Sequence, residues 1–226
     1  SDVARDEDAT GYLVAVGAGG ISKRLHINWH LQLAGLQPSV HVCTTENVII
    51  ATTCESESAG EKCRIHGIRD RGSYGEPLWS KPCRGGPVAG PQHTVVDPRG
   101  GFWTWHSGSG LLRMNATTGA VIEQIPESLW PGTPVTELTM APLSLGLTGS
   151  SDSLGIIGAF SQNATIALAA MQVSNDAGSS SPSLLWTHRL NGLGASDIGR
   201  QIALASDNDG RGVAVLHTAN GTISFS

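Results

Sequence analysis

The chain is poor in charge. Asp, Glu, Lys and Arg make up 15% of its 226 residues, and the formal net charge is -5. It has no basic run that could neutralise a phosphate backbone, which argues against a nucleic-acid binder. Its purely apolar runs are only a few residues long, so no segment is expected to insert into a bilayer. No two cysteines form a Cys-x-x-Cys pair, so zinc-ligand spacing is absent. There is no Gly-x-Ser-x-Gly nucleophile elbow. No signal peptide opens the sequence. Residues 1–10 form a polar lead, and "SDVARDEDATG" reads as a mature end left after processing.

Turn-forming residues are plentiful, with 29 Gly and 11 Pro. That composition suits many short strands rather than long helices. The length allows a large core in one or two domains.

Four cysteines, Cys43, Cys54, Cys63 and Cys83, fall in one stretch. An even number hints at disulfide bonds and an oxidising compartment; four reduced, buried thiols are the alternative. Asn-x-Ser/Thr glycan acceptor signals occur at Asn115, Asn163 and Asn220, three of the eight asparagines, all in turn-like sequence. Cysteines and sequons together favour a secreted or lumenal glycoprotein.

The sequence also repeats. "NVIIATTC", "GFWTWHS", "GIIGAFS" and "GVAVLHT" are short apolar strands, each after turn-like residues. Their first strand residues, Val48, Gly101, Gly155 and Gly212, lie 53, 54 and 57 residues apart. "VHVCTTEN", "HTVVDPRGG", "SLGLTGSSDSLG" and "LASDNDGRG" precede them, each an apolar strand running into a polar turn, so each reads as a hairpin. A small polar turn and another strand follow, with Asn163 and Asn220 at one place in this register. A second hairpin then leads to "EPLWSKP", "AVIEQIP" or "SLLWTHRL", and "INWHLQL" is the same strand of an earlier copy. Trp29, Trp79 and Trp186 share one column, where the third copy has Glu123.

The repeating unit is thus four antiparallel strands in about fifty residues. Such a unit cannot bury both faces alone, but stacked radially its neighbours cover it. The expected fold is all-β, a β-propeller over residues 11–226. Its units fall at approximately 11–37, 38–90, 91–136, 137–198 and 199–226, about four blades in all. The tryptophan column has a packing rationale. One large ring seals an outer strand against the next blade, contributing several kcal/mol at roughly 25 cal/mol per Å².

The repeat resembles that of quinoprotein-like (PQQ-like) propellers, which ends in Asp-x-x-Thr-Gly-x-x-x-Trp. In "NATTGAVIE", Asn115 stands for the Asp, Thr118-Gly119 match, and Glu123 replaces the Trp. "GEPLW", Gly75 to Trp79, keeps the Gly-to-Trp spacing; "PSLLW" puts Pro182 at the Gly position. Propellers of this class usually have six to eight blades, so the resemblance implies part of a larger propeller, with completion by a partner as an alternative. Closure as four blades is opposed by "TISFS", which starts a third strand that "GYLVAVG" already supplies. On this map Cys54 and Cys63 flank one hairpin connection, and Cys63 and Cys83 the next. Cys54–Cys63 is the preferred bridge, with Cys43–Cys83 as the remainder.

No set of acidic, Asn and Arg residues matches the quinone and Ca²⁺ site of the catalytic members, so neither a cofactor nor a metal site is expected. "DNDGRG" aligns with "DPRGG" as a hairpin turn rather than a calcium loop. "VGAGGIS" lacks the last glycine of a dinucleotide loop and reads as strand-turn-strand. His106 and His217 share a column with Thr53 and Phe160 and read as half-buried strand residues. Trp103 and Trp105 alternate on one strand, and packing between blades is preferred to a sugar-binding patch. The expected function is a non-catalytic extracellular or lumenal module that binds protein partners or copies of itself and carries N-linked glycans. Two alternatives stand beside it: a fragment of a PQQ-dependent dehydrogenase, and an assembly or sensor propeller of the endoplasmic-reticulum lumen.

Overall fold

A computed structural model describes residues 10–19, 24–34, 36–43, 47–55, 62–83, 94–97, 100–106, 108–134, 139–142, 154–162, 165–173, 182–194, 202–206, 213–219 and 222–225. Among these the chain is all-β, and the sheets follow one another along the sequence. The first pairs β1 (Thr10–Gly19) with β2 (Arg24–Ala34). The second runs β3 (Leu36–Cys43), β4 (Val48–Glu55), β5 (Lys62–Asp70), β6 (Gly75–Cys83) in that spatial order. The third orders β7 (Thr94–Val96), β8 (Phe102–His106), β9 (Gly110–Met114) and β10 (Val121–Ile125) in the same way. The fourth sheet comprises β11 (Thr133–Pro134), β12 (Thr139–Pro142), β13 (Leu154–Gln162), β14 (Thr165–Val173) and β15 (Ser183–Gly194). Both short strands β11 and β12 pair with β13. The fifth has β16 (Ile202–Ser206), β17 (Val213–Ala219) and β18 (Thr222–Phe225). Every pairing is antiparallel between sequence neighbours, apart from β11 with β13.

Strands β4 and β8 are buried along most of their length because both their faces are covered. Side chains alternate across a strand, and here each parity enters a different interface. Val48 and Ile50 pack with Cys63 and Ile65 against Phe102, Leu112, Met114 and Ala116 of the third sheet. Ile49, Ala51 and Ile68 instead meet Leu13, Trp29 and Leu33 of the first. In the third sheet Phe102 faces back, while Trp103, Trp105, Leu111 and Ile125 face Ile156, Phe160, Ala169 and Met171 of the fourth. Ile157 and Ala170 belong to a separate cluster on the fourth sheet's other side. Burying both faces of the second and third sheets makes each depend on its neighbours, since two or three strands alone are marginal in water.

The eight strands expected around the "NVIIATTC" and "EPLWSKP" columns are all present. Trp103 is fully buried and Trp105 nearly so. Both rings pack between the third and fourth sheets, which leaves little of either surface for a ligand. Trp130, which no periodicity marked, joins them from the loop after a 3-10 turn at Glu127–Leu129, stacking on Phe160 at 4.9 Å between ring centroids. The turn "DNDGRG" and the segment "SLGLTGSSDS" lie outside the described residues.

Candidate functional site: tryptophans seated in the next sheet's turn

Four sheets carry the same irregularity at the same place. The outer strand bulges by one residue immediately before the column position: at Asn28 before Trp29, Leu78 before Trp79, Ile122 before Glu123, and Leu185 before Trp186. A bulge bends its strand and re-aims the following side chain. Across the ladder from each column tryptophan stands a small residue: Ala15 opposite Trp29, Gly67 opposite Trp79, Ala170 opposite Trp186. The small partner leaves room for the indole to lie over the neighbouring strand, and a Cβ at Gly67 would collide with the Trp79 ring.

Two of these rings are seated in the turn between the third and fourth strands of the following sheet. Trp29 reaches the turn after β5, where a Cβ on Gly75 would lie 2.7 Å from its ring. Its indole N–H donates to Asp70 Oδ1 at 3.0 Å, an oxygen that also accepts from the Gly72 amide at 2.7 Å. Trp79 reaches the turn after β9, where a Cβ on Gly119 would again lie 2.7 Å from the ring. Gly119 also has φ +66°, a conformation that side chains with a Cβ disfavour. The Trp79 indole donates to the Ala116 carbonyl at 2.7 Å, and Lys81 Nζ donates to the Gly119 carbonyl. The Trp79 ring stacks on Phe102 as well, 6.0 Å between centroids and 5° from parallel.

Asn115 organises the second of these turns. Its Oδ1 accepts from the Thr117 and Thr118 amides at 3.0 and 2.9 Å and from the Thr118 hydroxyl at 3.1 Å. Asp70 and Asn115 therefore do equivalent work, one side-chain oxygen holding the turn that receives a ring. The sequence showed the tryptophans and the glycines but not that they belong to one contact. The partner of each ring lies one repeat further on, at Gly75 for Trp29 and Gly119 for Trp79.

Glu123 departs from the column for a reason visible in the ladder. The residue opposite it is Arg113. Arg113 Nε approaches the fully buried Asp97 carboxylate at 3.1 Å, close enough for an ion pair though off the hydrogen-bond axis. Asp97 Oδ2 also accepts from the Trp103 indole at 3.1 Å. Arg113 leaves no small partner over which an indole could lie.

Trp186 differs from its counterparts. It has the bulge and the small partner Ala170, yet 40% of it is exposed, against 5% of Trp29. The expectation that it seals its sheet against the next is not met among the described residues.

The cysteines fall on two rows. Cys54, Cys63 and Cys83 stand opposite one another across β4, β5 and β6, whereas Cys43 stands opposite Val48 at the other end of β4. Six residues of strand separate the rows, roughly 20 Å. A disulfide needs Cα atoms within about 7 Å, so the register rules out the expected Cys43–Cys83 remainder. Asn163 and Asn220 lie outside the described residues.

Burial lowers the pKa of His66, helped by the charge of Arg64, and burial also lowers that of His106. His66 Nε2 shares a 3.0 Å hydrogen bond with the Thr53 hydroxyl inside the second sheet. Among the described residues no three His, Cys, Asp or Glu side chains gather where they would hold a metal ion, and no helix is long and apolar enough to cross a membrane. No protein-family model matches the chain, and comparison with curated proteins finds no match.

Proposed function

We propose that the chain is a β-propeller segment whose work is to bind other proteins from a rigid scaffold, without catalysis, in an extracellular or lumenal compartment. The observation that carries this reading is the repeated seating of one sheet's tryptophan in the next sheet's glycine turn, at Trp29–Gly75 and Trp79–Gly119. Such a contact fixes each sheet against its successor and makes successive sheets behave as blades of one body. Rigid blades carry loops at both ends and strand edges at the rim, the parts best placed for partners. Likeness to the PQQ-like repeat is part of this reading, with Asp70 or Asn115, then Gly75 or Gly119, as its marks.

Cysteine and sequon positions support the compartment. Cys63 takes part in a disulfide, with Cys54 on one side of it in the ladder and Cys83 on the other. Disulfides persist where the surroundings are oxidising. At Asn115 the oxygen is occupied by its turn, but a glycan attaches through the amide nitrogen, so the turn is compatible with an occupied sequon.

Expression in a secreting eukaryotic host, followed by glycopeptide and non-reduced peptide mapping, tests the placement. Occupied sequons among Asn115, Asn163 and Asn220, together with a bridged Cys63, are expected. Three bare asparagines and free thiols would remove the extracellular or lumenal reading. Catalysis is tested separately: an absorbance change and dye-linked alcohol oxidation on adding pyrroloquinoline quinone with Ca²⁺ would replace the binding role with a dehydrogenase.

A further inference from the structure

Three cysteines of the second sheet share one row. Cys54, Cys63 and Cys83 stand opposite one another on β4, β5 and β6. Cys63, on the middle strand, takes part in a disulfide and is 3% exposed, packed among Val48, Ile50 and Ile65. A sulfur forms one disulfide at a time, and this one has a cysteine on either side of it.

The phase of the ladder makes the two neighbours unequal. The Asp70 N–H donates to the Asn47 carbonyl at 2.9 Å, and these residues continue the β4–β5 register as an opposed pair. Opposed pairs alternate between hydrogen-bonded and non-hydrogen-bonded. The β4–β5 register is unbroken, so Asp70, Ile68, His66 and Arg64 bond through the main chain to β4, and Arg69, Gly67, Ile65 and Cys63 to β6. Arg71, which donates to the Tyr74 carbonyl at 3.1 Å, has the parity of the second group. The prolines agree. Pro77 and Pro82 have no N–H, and they stand opposite Ile68 and Arg64, where β6 needs no donor. Cys54–Cys63 is therefore a non-hydrogen-bonded pair and Cys63–Cys83 a hydrogen-bonded one. Opposed Cβ atoms lie about 4.5–5.5 Å apart, closer in the first kind, and a disulfide needs about 3.5–4.5 Å. Cys54 is the better-placed partner, and Cys83 stands on the far side of the bonded residue.

We infer that this row is an intramolecular disulfide-exchange site, with Cys54–Cys63 as its main state and Cys63–Cys83 as its second. Exchange proceeds by attack of a thiolate on a disulfide sulfur, from the side opposite the sulfur that leaves. A row across three adjacent strands sets that order, and burial screens Cys63 from thiols in solution. The Cys83 thiolate attacks the Cys63 sulfur. The Cys63–Cys83 bond forms as the Cys54–Cys63 bond breaks. The electron pair leaves on the Cys54 sulfur, which takes up the proton that Cys83 gave. One disulfide and one thiol stand on each side, so no oxidant or reductant is consumed. The exchange moves a covalent tie from β4–β5 to β5–β6. Strand β6 is an edge of its sheet and carries both Gly75, the seat of Trp29, and Trp79. The second state thus fastens the strand that holds the second sheet to both its neighbours.

The test uses the full chain secreted from a eukaryotic host. It is incubated at about pH 8.5, where thiolate forms, without oxidant or reductant. Samples are quenched with acidic N-ethylmaleimide and mapped without reduction. Reduction with a phosphine followed by reoxidation with diamide supplies a second starting mixture. Both mixtures are expected to relax to one ratio, with the Cys54–Cys63 peptide in excess of the Cys63–Cys83 peptide. Total disulfide stays constant, and dilution leaves the rate unchanged. Cys54→Ser is expected to move the bridge to Cys63–Cys83, and Cys83→Ser to hold it at Cys54–Cys63. Two mixtures that keep different ratios, or a Cys63–Cys83 peptide absent from both, would overturn the inference and leave a fixed bridge beside an inert thiol. A free Cys63 in folded Cys54→Ser would do the same, since Cys83 would then be out of reach. A rate that rises with protein concentration would assign the exchange to collisions between chains and overturn the intramolecular site. Relaxation of the wild-type chain decides the matter alone where Cys54→Ser does not fold.

Discussion

The indole Nε1 of Trp79 donates a 2.7 Å hydrogen bond to the backbone carbonyl of Ala116, 37 residues further on and in the next sheet. The same ring covers Gly119 and stacks on Phe102. One side chain thus contributes burial, stacking and a polar tie to a single contact between sheets. Trp79→Ala removes all three and is expected to destabilise the protein by about 3 kcal/mol. Trp79→Phe keeps an aromatic ring and loses the indole donor, which should cost about 1 kcal/mol for the hydrogen bond plus some packing. Equilibrium urea unfolding of the three proteins checks the order wild type, Phe, Ala. Equal stability of the Phe and Ala variants would show that the ring contributes little by stacking.

The receiving glycine makes a sharper test because a Cβ there would meet the Trp79 ring first. In Gly119→Ala the new Cβ would lie 2.7 Å from the Trp79 indole, on a backbone already at φ +66°. Both effects destabilise, together by about 2–3 kcal/mol. They separate in a double-mutant cycle. In a Trp79→Ala background the collision disappears and only the backbone strain remains, so the cost of Gly119→Ala should fall to about 1 kcal/mol. An unchanged cost in that background would mean the ring does not sit over Gly119 in solution.

This contact also marks where sequence reasoning stopped. The inner strands were legible because covering both faces leaves a short run of apolar and small residues bounded by turn signals, as in "VIIATT", "FWTW" and "IIGAF". The Trp29, Trp79, Trp186 column was legible from its flanks. What each ring touches was not, because a contact between repeats is non-local and leaves no periodicity inside one repeat. Gly75 and Gly119 look like ordinary turn glycines until the preceding sheet's ring is placed on them. Glu123 looked like a lapse in the pattern, and only the ladder, which puts Arg113 opposite it with Asp97 behind, supplies the reason. Trp130 lies in a loop after Pro126 and had no pattern to betray it.

Acid is expected to weaken the fold through its buried histidines. His66 is 8% exposed, and burial, reinforced by Arg64, holds its pKa below the ordinary value of 6.5; burial alone does the same at His106. The folded state therefore binds the proton less readily than the unfolded chain. The contribution of each neutral ring is fully present above about pH 6.5 and is lost as pH falls through the folded value. His66→Gln, which keeps a hydrogen-bonding side chain but cannot titrate, should flatten the fall in unfolding free energy between pH 7 and pH 5. An identical slope in wild type and variant would place the pH sensitivity elsewhere.

The cysteine rows predict which bridges can exist. Cys63 has Cys54 and Cys83 directly opposite it on adjacent strands. Residues opposed across an antiparallel ladder have Cα atoms about 4.5–5.5 Å apart, within the span a disulfide tolerates. Cys43 sits at the Val48 end of the same sheet and is out of reach of all three within it. Digestion without reduction should therefore yield Cys63 linked to Cys54 or to Cys83, and never a Cys43–Cys83 peptide. Cys63→Ser should release its partner as a titratable thiol without altering the alkylation of Cys43. Recovery of Cys43 linked to Cys83 would require β3 and β6 to lie in a different register, and with it a different placement of Gly75, the first residue of β6 and the seat of Trp29.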